Sequence, residues 1–181
     1  MWPIGPLMHE HRLIERMVGL VGREVNRLSG GGTPEPRFLT DAVEFFRSYA
    51  DRCHHGKEEE ILFKELETRE LEPALAATMA ELVEEHKEGR RLVGRLEASR
   101  DAWLGEAPGA KEEMVTALKS LAAFYPGHIE KEDKHFFHPV MEYLSREEMD
   151  AMLERFHEFD RGLVHELYGR RVDDWDARLG G

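Results

Sequence analysis

The sequence predicts an all-α fold, an antiparallel up-down four-helix bundle with an additional C-terminal helix. Apolar residues recur at three- and four-residue steps through most of the chain, which is the period of an α-helix. No segment shows sustained period-two alternation, and no Asn-Gly or Asp-Gly turn separates two apolar runs. The chain of 181 residues suits a single domain over 1–181, with a four-helix core of about 5–143 and an appended helix of about 146–169.

Breaks rich in glycine and proline divide the apolar pattern into its helices. The run SGGGTPEP at residues 29–36 ends the first helix, and Pro73 separates the second helix from the third. A further break at residues 105–109 ends the third helix. Because these connections are short, consecutive helices are expected to pack as antiparallel neighbours. The four core helices have the approximate predicted bounds 7–28, 38–67, 74–104 and 111–139.

Two local signals refine the C-terminal half of the chain. Pro126 lies inside the fourth helix pattern, where it removes one backbone hydrogen bond. Since apolar spacing continues on both sides, we expect a kink there rather than a helix end. Ser145 and Glu148 have the spacing of a capping box, which predicts the appended helix from about Arg146 to Tyr168. We expect this helix to cover one opening of the bundle.

Composition narrows the classes of partner. The formal net charge of −12 argues against nucleic acid and against an anionic membrane surface. No apolar stretch approaches the roughly 20 residues that span a bilayer. Cys53 is the single cysteine, so an internal disulfide is excluded and a reducing compartment is favoured. With no signal-peptide pattern at the N-terminus, we expect a cytoplasmic protein, and the sequence leaves its oligomeric state open.

A His-x-x-x-Glu motif followed by an apolar pair occurs twice. His54 and Glu58 form the first copy, and His128 and Glu132 form the second. Residues four apart lie on one face of a helix, so each pair can reach the bundle interior together. Imidazole and carboxylate ligands suit iron, manganese or zinc. One copy alone is often a solvated pair in a glutamate-rich helix, but two copies in matched apolar frames predict a dinuclear site in which each glutamate bridges both metals.

A second repeated phrase supplies the other two helices. Glu10 and His11 in the first helix match Glu85 and His86 in the third, and a basic residue follows each histidine. Taken alone, either histidine is better explained as a surface or core residue. Together they place one set of candidate ligands on each of four helices, which favours a ligand role for both.

These motifs resemble the hemerythrin-like family, the HHE cation-binding domains. The resemblance runs through His11, the run HHGKEEEILF at 54–63, His86 and the run HIEKEDKHFFHP at 128–139. It implies a four-helix bundle around two non-haem iron ions, bridged by two glutamates and an oxo, hydroxo or water species. Zinc and manganese are alternative metals for the same ligands. The metal ligands that the resemblance implies are His11, His54, Glu58, His86, His128 and Glu132.

One position departs from the oxygen-carrying members of that family, which have His-x-x-x-His in the third helix. Arg90 stands at the second of those positions, and a guanidinium cannot coordinate a metal. This pattern resembles the iron-sulfur-repair and iron-sensing branches more than the oxygen-transport branch. One iron is then expected to lack a protein ligand unless another residue supplies it, the candidates being His55, Glu59, His157 and His165.

Three neighbours of the motifs carry separate expectations. His55 follows His54 by one residue, about 100° around an α-helix, which favours a place outside the ligand shell or on the surface. Tyr125 precedes His128 by three residues and is a candidate to hydrogen-bond an oxygen ligand of the metal. Cys53 is expected to be an inert buried thiol. The role of His135 is left open.

The predicted function is a non-haem di-iron protein that binds or reacts with a small oxidant or diatomic, O₂, NO or peroxide, in a sensing, scavenging or redox role. Storage, donation or sensing of iron is the alternative. A metal-free structural bundle is disfavoured, because buried histidine and glutamate without metal cost several kcal/mol each. The sequence has no nucleophile elbow, phosphate loop or dinucleotide fingerprint, so enzyme activity remains open.

Overall fold

The computed structural model describes residues 2–160 and 164–179, except for the side chains of residues 164–167. The predicted all-α class is confirmed, since these residues form helices and connecting turns and no strand. None of the described helices combines the length and the apolar character that a bilayer-crossing segment needs. The described residues form six long helices, α1 (Ile4–Ser29), α2 (36–66), α3 (Pro73–Leu104), α4 (110–140), α5 (Arg146–Phe159) and α6 (Val164–Leu179).

Two apolar clusters fill the bundle, one on either side of a polar layer. Helix α1 starts in a cluster that contains Leu7 and ends in the other cluster, which contains Leu20. Helix α3 runs the same way, whereas α2 and α4 pass from the second cluster to the first. The helices therefore alternate in direction, as an up-down bundle requires. Between the clusters, each of the four helices contributes buried histidine or glutamate.

Helices α2 and α4 are not regular α-helices where they cross the polar layer. Helix α2 contains two π-helical segments, Phe46–His55 and Glu58–Phe63, and α4 contains one at Glu132–Phe136. A π-helix bonds residue i to i+5 rather than i+4, and such segments frequently occur at functional sites. The wider turn changes which residues share a face, so regular α-helical spacing does not predict the orientation of every residue in this layer.

The C-terminal region differs from the single appended helix predicted for about 146–169. Helix α5 ends at Phe159, and α6 begins at Val164. The chain turns at Asp160, whose carboxylate accepts hydrogen bonds of 2.6 and 2.7 Å from the Lys57 ammonium group. The predicted capping box is confirmed, because the Ser145 side chain accepts from the Glu148 amide and the Glu148 side chain accepts from the Ser145 amide.

The other local prediction concerned Pro126. Helix α4 continues through this proline, since the segment Ala110–Lys131 is one unbroken α-helix.

Helix α5 packs its buried face, formed by Met149, Met152 and Phe156, into the apolar cluster that contains Leu7. That packing covers one end of the bundle, as expected.

Candidate metal centre

All six candidate ligands lie in the polar layer, and none has more than 3% of its surface exposed. Helix α1 supplies one of them, α2 two, α3 one and α4 two. The inward face of each helix is apolar above and below the layer, so burial of the polar residues follows from packing of their neighbours. The residues that the structure gathers in the layer are His11, His54, Glu58, His86, His128 and Glu132.

The two glutamates direct their oxygens to two different histidine sets. Glu58 Oε1 lies 3.5 Å from His54 Nε2, and its Oε2 lies 3.4 Å from His86 Nε2. Glu132 Oε2 lies 3.2 Å from His11 Nε2, and its Oε1 lies 3.4 Å from His128 Nε2. One oxygen of each glutamate faces His11 or His54, and we call this histidine pair site 1. The other oxygen of each glutamate faces His86 or His128, and we call this pair site 2. Each carboxylate therefore faces both histidine sets.

The hydrogen bonding of this layer tests whether the residues fit metal ions. In the described chain, both oxygens of Glu58 and Glu132 are buried with no hydrogen-bond partner, and so is Nε2 of His86 and His128. The His11 and His54 Nε2 atoms face each other at 2.8 Å. Ligands at right angles around an ion, each about 2.0–2.2 Å from it, are about 3 Å apart. The donors are therefore spaced as metal ligands, and the atoms without partners are the ones that metals would take.

The other ring nitrogen of each histidine faces a carboxylate from a neighbouring helix. His11 on α1 pairs with Asp133 on α4 at 2.7 Å, and His54 on α2 pairs with Glu10 on α1 at 2.8 Å. A carboxylate on Nδ1 fixes the tautomer and leaves Nε2 to coordinate a metal. The same contact occurs at site 2, between His86 and Glu59 at 2.7 Å and between His128 and Glu85 at 2.9 Å.

The sequence analysis did not predict that these outer carboxylates bond the histidines, although their positions in the sequence follow a regular pattern. Each one is adjacent in sequence to a candidate ligand on its own helix and bonds a histidine on the next helix. Glu59, considered as a ligand from the sequence, belongs to this outer group. An acidic residue beside each ligand was visible, but the cross-helix pairing depends on how the helices are rotated.

Buried charges conflict in the metal-free layer. Although burial opposes protonation of His11, the neighbouring carboxylates of Asp133 and Glu132 raise its pKa to about 9. Burial and the charge of His11 lower the pKa of His54 to about 4. Burial and the neighbouring Glu132 raise the pKa of Glu58 well above its usual range. Two adjacent buried carboxylates cannot both ionise easily without cations, which is the condition that metal ions relieve.

His55 differs from its sequence expectation. It is only 2% exposed, so the surface alternative was wrong. Its ring stacks on His86, with centroids 4.0 Å apart, and lies edge-on to His128 at 5.4 Å. The expectation assumed the 100° step of an α-helix, whereas residues 46–55 are π-helical. The structure thus places the His55 ring beside His86 and His128, which the α-helical step did not predict.

The remaining candidates lie away from the ligand layer or outside the description. His135 and His157 are exposed, and the side chain of His165 lies outside the described residues.

The Cys53 thiol is buried and donates a hydrogen bond to Asp160 at 3.0 Å. Burial raises the pKa of this thiol, in keeping with an inert cysteine.

Arg90 and Tyr125 border a small cavity beside site 2. Arg90 is partly exposed and donates to Asp51 at 2.8 Å and to Glu59 at 2.7 Å. Tyr125 is buried and stacks on Phe46. The cavity has a volume of about 140 Å³, and its wall includes His55, Gly89 and both of these residues. The position of the fifth histidine of oxygen carriers is thus occupied by a cation that binds carboxylates.

Comparison with known proteins agrees with this geometry. The profile of the Hemerythrin HHE cation binding domain matches residues 3–138. The chain belongs to this family. The match covers all four helices that supply the polar layer and ends before α5 and α6, so the cation-binding layer is the part that the family shares.

Curated relatives are distant. Uncharacterised proteins of Mycobacterium bovis and of two Mycobacterium tuberculosis strains are each 23% identical over 150 residues, which is 83% of this chain. The aligned region spans 58% of the length of these relatives. No solved structure matches the chain significantly.

Proposed function

We propose that the protein holds two iron ions and binds or reacts with a small oxidant or diatomic, O₂, NO or peroxide, in a sensing, scavenging or redox role. The observation that carries this proposal is the division of the Glu58 and Glu132 oxygens between two histidine sets. Carboxylates that share their oxygens in this way suit a pair of ions better than one ion. Family membership supports cation binding, and the histidine and carboxylate ligands suit iron.

Each side chain has a definite task in this centre. His11 and His54 would hold one ion and His86 and His128 the other, with Glu58 and Glu132 shared between the two. The chemistry that iron would supply when bound is electron transfer to a small oxidant. The outer carboxylates keep a proton on each Nδ1, so Nε2 stays available as a ligand.

The surroundings restrict what reaches the centre. Apolar clusters lie above and below the polar layer and exclude bulk water. The cavity at His55 measures about 140 Å³, below the roughly 300–1,000 Å³ typical of pockets for organic ligands. Its size suits a diatomic molecule or peroxide.

Iron storage, donation or sensing is the second candidate, and a specific observation favours it. The layer buries two carboxylates that have no hydrogen-bond partner among the described residues, so metal binding would be coupled to folding. A protein of this kind reports iron through its own stability. At metal concentrations of 100–1,000 times Kd, binding adds about 3–4 kcal/mol, which raises Tm by roughly 5–15 °C for a chain of this size.

Metal analysis and spectroscopy test both candidates. Protein purified with and without air should contain about two irons per chain. Anaerobically reduced protein is then exposed separately to O₂, NO and H₂O₂ while its visible spectrum is recorded. Spectral change at a rate that depends on reagent concentration supports the first candidate. Two irons with no spectral response, together with the rise in Tm, support the second, and the absence of bound metal overturns both.

A further inference from the structure

We propose that His55 is a fifth imidazole ligand, which completes site 2 in place of the third-helix histidine absent at Arg90. The assignment rests on the dinuclear centre proposed above and specifies how its ligands are distributed. Site 1 has two histidines and site 2 has three, and the two sites share the bridging glutamates.

The first support is the position of the ring. His55, His86 and His128 each offer a ligand atom within 4.8 Å of the others, and all three are buried. Neither ring nitrogen of His55 has a hydrogen-bond partner among the described residues. Leaving a buried polar group without a partner costs about 1–3 kcal/mol. Coordination to the ion at site 2 removes this cost.

The second support is the contact behind the ring. The four other histidines each turn Nδ1 to a carboxylate and Nε2 to the centre. His55 follows the same plan, since its Nδ1 lies 3.4 Å from Asp51 Oδ1. The contact is longer than a hydrogen bond at the best distance, but it selects the same nitrogen. Nε2 of His55 is therefore the atom that coordinates.

The third support is the backbone that presents the ring. His54 and His55 end a π-helical segment that begins at Phe46. Its wider turn allows two consecutive histidines to enter one buried layer, with His54 at site 1 and His55 beside His86 at site 2. A regular α-helix would rotate the second ring by about 100° from the first.

Arg90 acts as a positioning residue for this ligand. Its guanidinium donates to Asp51, which faces His55, and to Glu59, which bonds His86. One side chain therefore holds the outer carboxylates of two site 2 imidazoles. In this chain, Arg90 orients ligands from the position where oxygen carriers supply one.

With His55 as a ligand, the two sites have different numbers of protein ligands. Site 2 has three imidazoles and two carboxylate oxygens, whereas site 1 has two imidazoles and two carboxylate oxygens. The ion with fewer protein ligands is then at site 1. From the sequence, loss of the third-helix histidine had been expected to leave an ion short of a ligand.

Counting coordinated imidazoles in the Co²⁺-loaded protein tests the assignment. Paramagnetic Co²⁺ shifts the Nδ1–H proton of each coordinated histidine far from the normal NMR range. The wild-type protein should show five such exchangeable signals. His55→Phe keeps a ring in the buried space and should show four, with the site 1 signals unchanged. His135→Phe changes an exposed histidine and should retain all five.

Arg90→Gln tests the positioning role by the same measurement. The His55 and His86 signals should exchange faster with water, because their outer carboxylates lose a cation, while those of His11 and His54 stay sharp. Arg91→Gln is the matched control, since Arg91 lies next on the same helix and bonds Glu88. Equal effects of the two substitutions would remove Arg90 from this role.

The outcomes separate this assignment from the metal centre itself. Two bound Co²⁺ ions with only four shifted signals in the wild-type protein would overturn the ligand role of His55 and leave the dinuclear centre intact. Five signals that persist in His55→Phe would also overturn it. Wild-type protein that binds no Co²⁺ would overturn the centre and the assignment together. The wild-type count decides even if the variant does not fold.

Discussion

Sites 1 and 2 share the carboxylates of Glu58 and Glu132, yet their surroundings differ. At site 1, the ring of Phe137 stacks on His11, and His54 is backed by Glu10 and Lys57. At site 2, aromatic rings stack on both histidines of the predicted set, and the small cavity opens beside His55. Site 1 thus has one stacked aromatic ring and a buried charge network, whereas site 2 has two stacked rings and a neighbouring cavity.

A cation stands behind the outer carboxylates at both sites. Arg12 bonds Asp133 and Lys57 bonds Glu10 at site 1, whereas Arg90 bonds Glu59 and Lys131 bonds Glu85 at site 2. Lys57 is fully buried, but the other three side chains are between 27% and 53% exposed. Since solvent screens exposed pairs, the same type of contact has different energetic weight at the two sites.

The largest expected effect is the loss of metal from both sites at once. Glu132→Ala deletes a carboxylate that faces both histidine sets, so we expect metal content to fall from about two ions towards zero, with both ions lost together. Metal analysis after equilibration with iron measures this. Glu130→Ala changes an exposed neighbour that pairs with Lys134 and should retain both ions. Loss of one ion alone would contradict bridging.

The next prediction compares how much the buried Lys57 and the partly exposed Lys131 contribute to the free energy of unfolding. Lys57→Met leaves the carboxylates of Glu10 and Asp160 without their shared ammonium group, and we expect the free energy of unfolding to fall by about 3–5 kcal/mol. Lys131→Met removes a partly exposed partner of Glu85 and should cost less than about 1 kcal/mol. Urea denaturation of both metal-free variants gives the two values. Similar losses would show that burial does not distinguish these contacts.

A smaller effect is expected when a substitution weakens metal affinity at one site only. Asp133→Asn removes the outer carboxylate of His11 at site 1, and Glu85→Gln removes that of His128 at site 2. Loss of such a partner typically weakens metal affinity about 10–100-fold. Competition with a chelator should therefore release the site 1 ion first in Asp133→Asn and the site 2 ion first in Glu85→Gln. Release of the same ion first in both variants would contradict the separation of the sites.

The last effect concerns protons at site 1. A metal ion requires neutral imidazole, but the pKa of His11 is raised to about 9 in the metal-free protein. Metal uptake at pH 7 should release this proton, and affinity should rise by up to about tenfold per pH unit until pH 9. Calorimetry in two buffers of different ionisation enthalpy measures the release.

The same shift has a consequence for stability, because the raised pKa favours the folded metal-free protein at low pH. This contribution of His11 is complete below about pH 6.5, its unfolded pKa, and is lost as pH rises through about 9. Asp133→Asn should move the window of proton release to lower pH, since the hydrogen bond to Asp133 raises the pKa. Proton release that is unchanged in this variant would assign the proton to another group.

Sequence alone predicted the all-α bundle and the approximate bounds of its core helices. It also predicted which six residues share the polar layer, as His54 and Glu58 illustrate. These features depend on spacing along one helix, where residues four apart lie on one face and apolar neighbours determine which face is buried. Such information is local, so it can be obtained without knowing how the helices pack.

Tertiary structure decided the features that depend on packing between helices. The burial of His55, the turn at Asp160 and the contacts of Lys57 and Arg90 with carboxylates on other elements all belong to this class. The π-helical segments shift the backbone hydrogen bonds by one residue, which the apolar period of the sequence does not record. Pairing of histidines with acids on adjacent helices depends on the rotation and axial register of each helix, and only packing of the whole bundle fixes these.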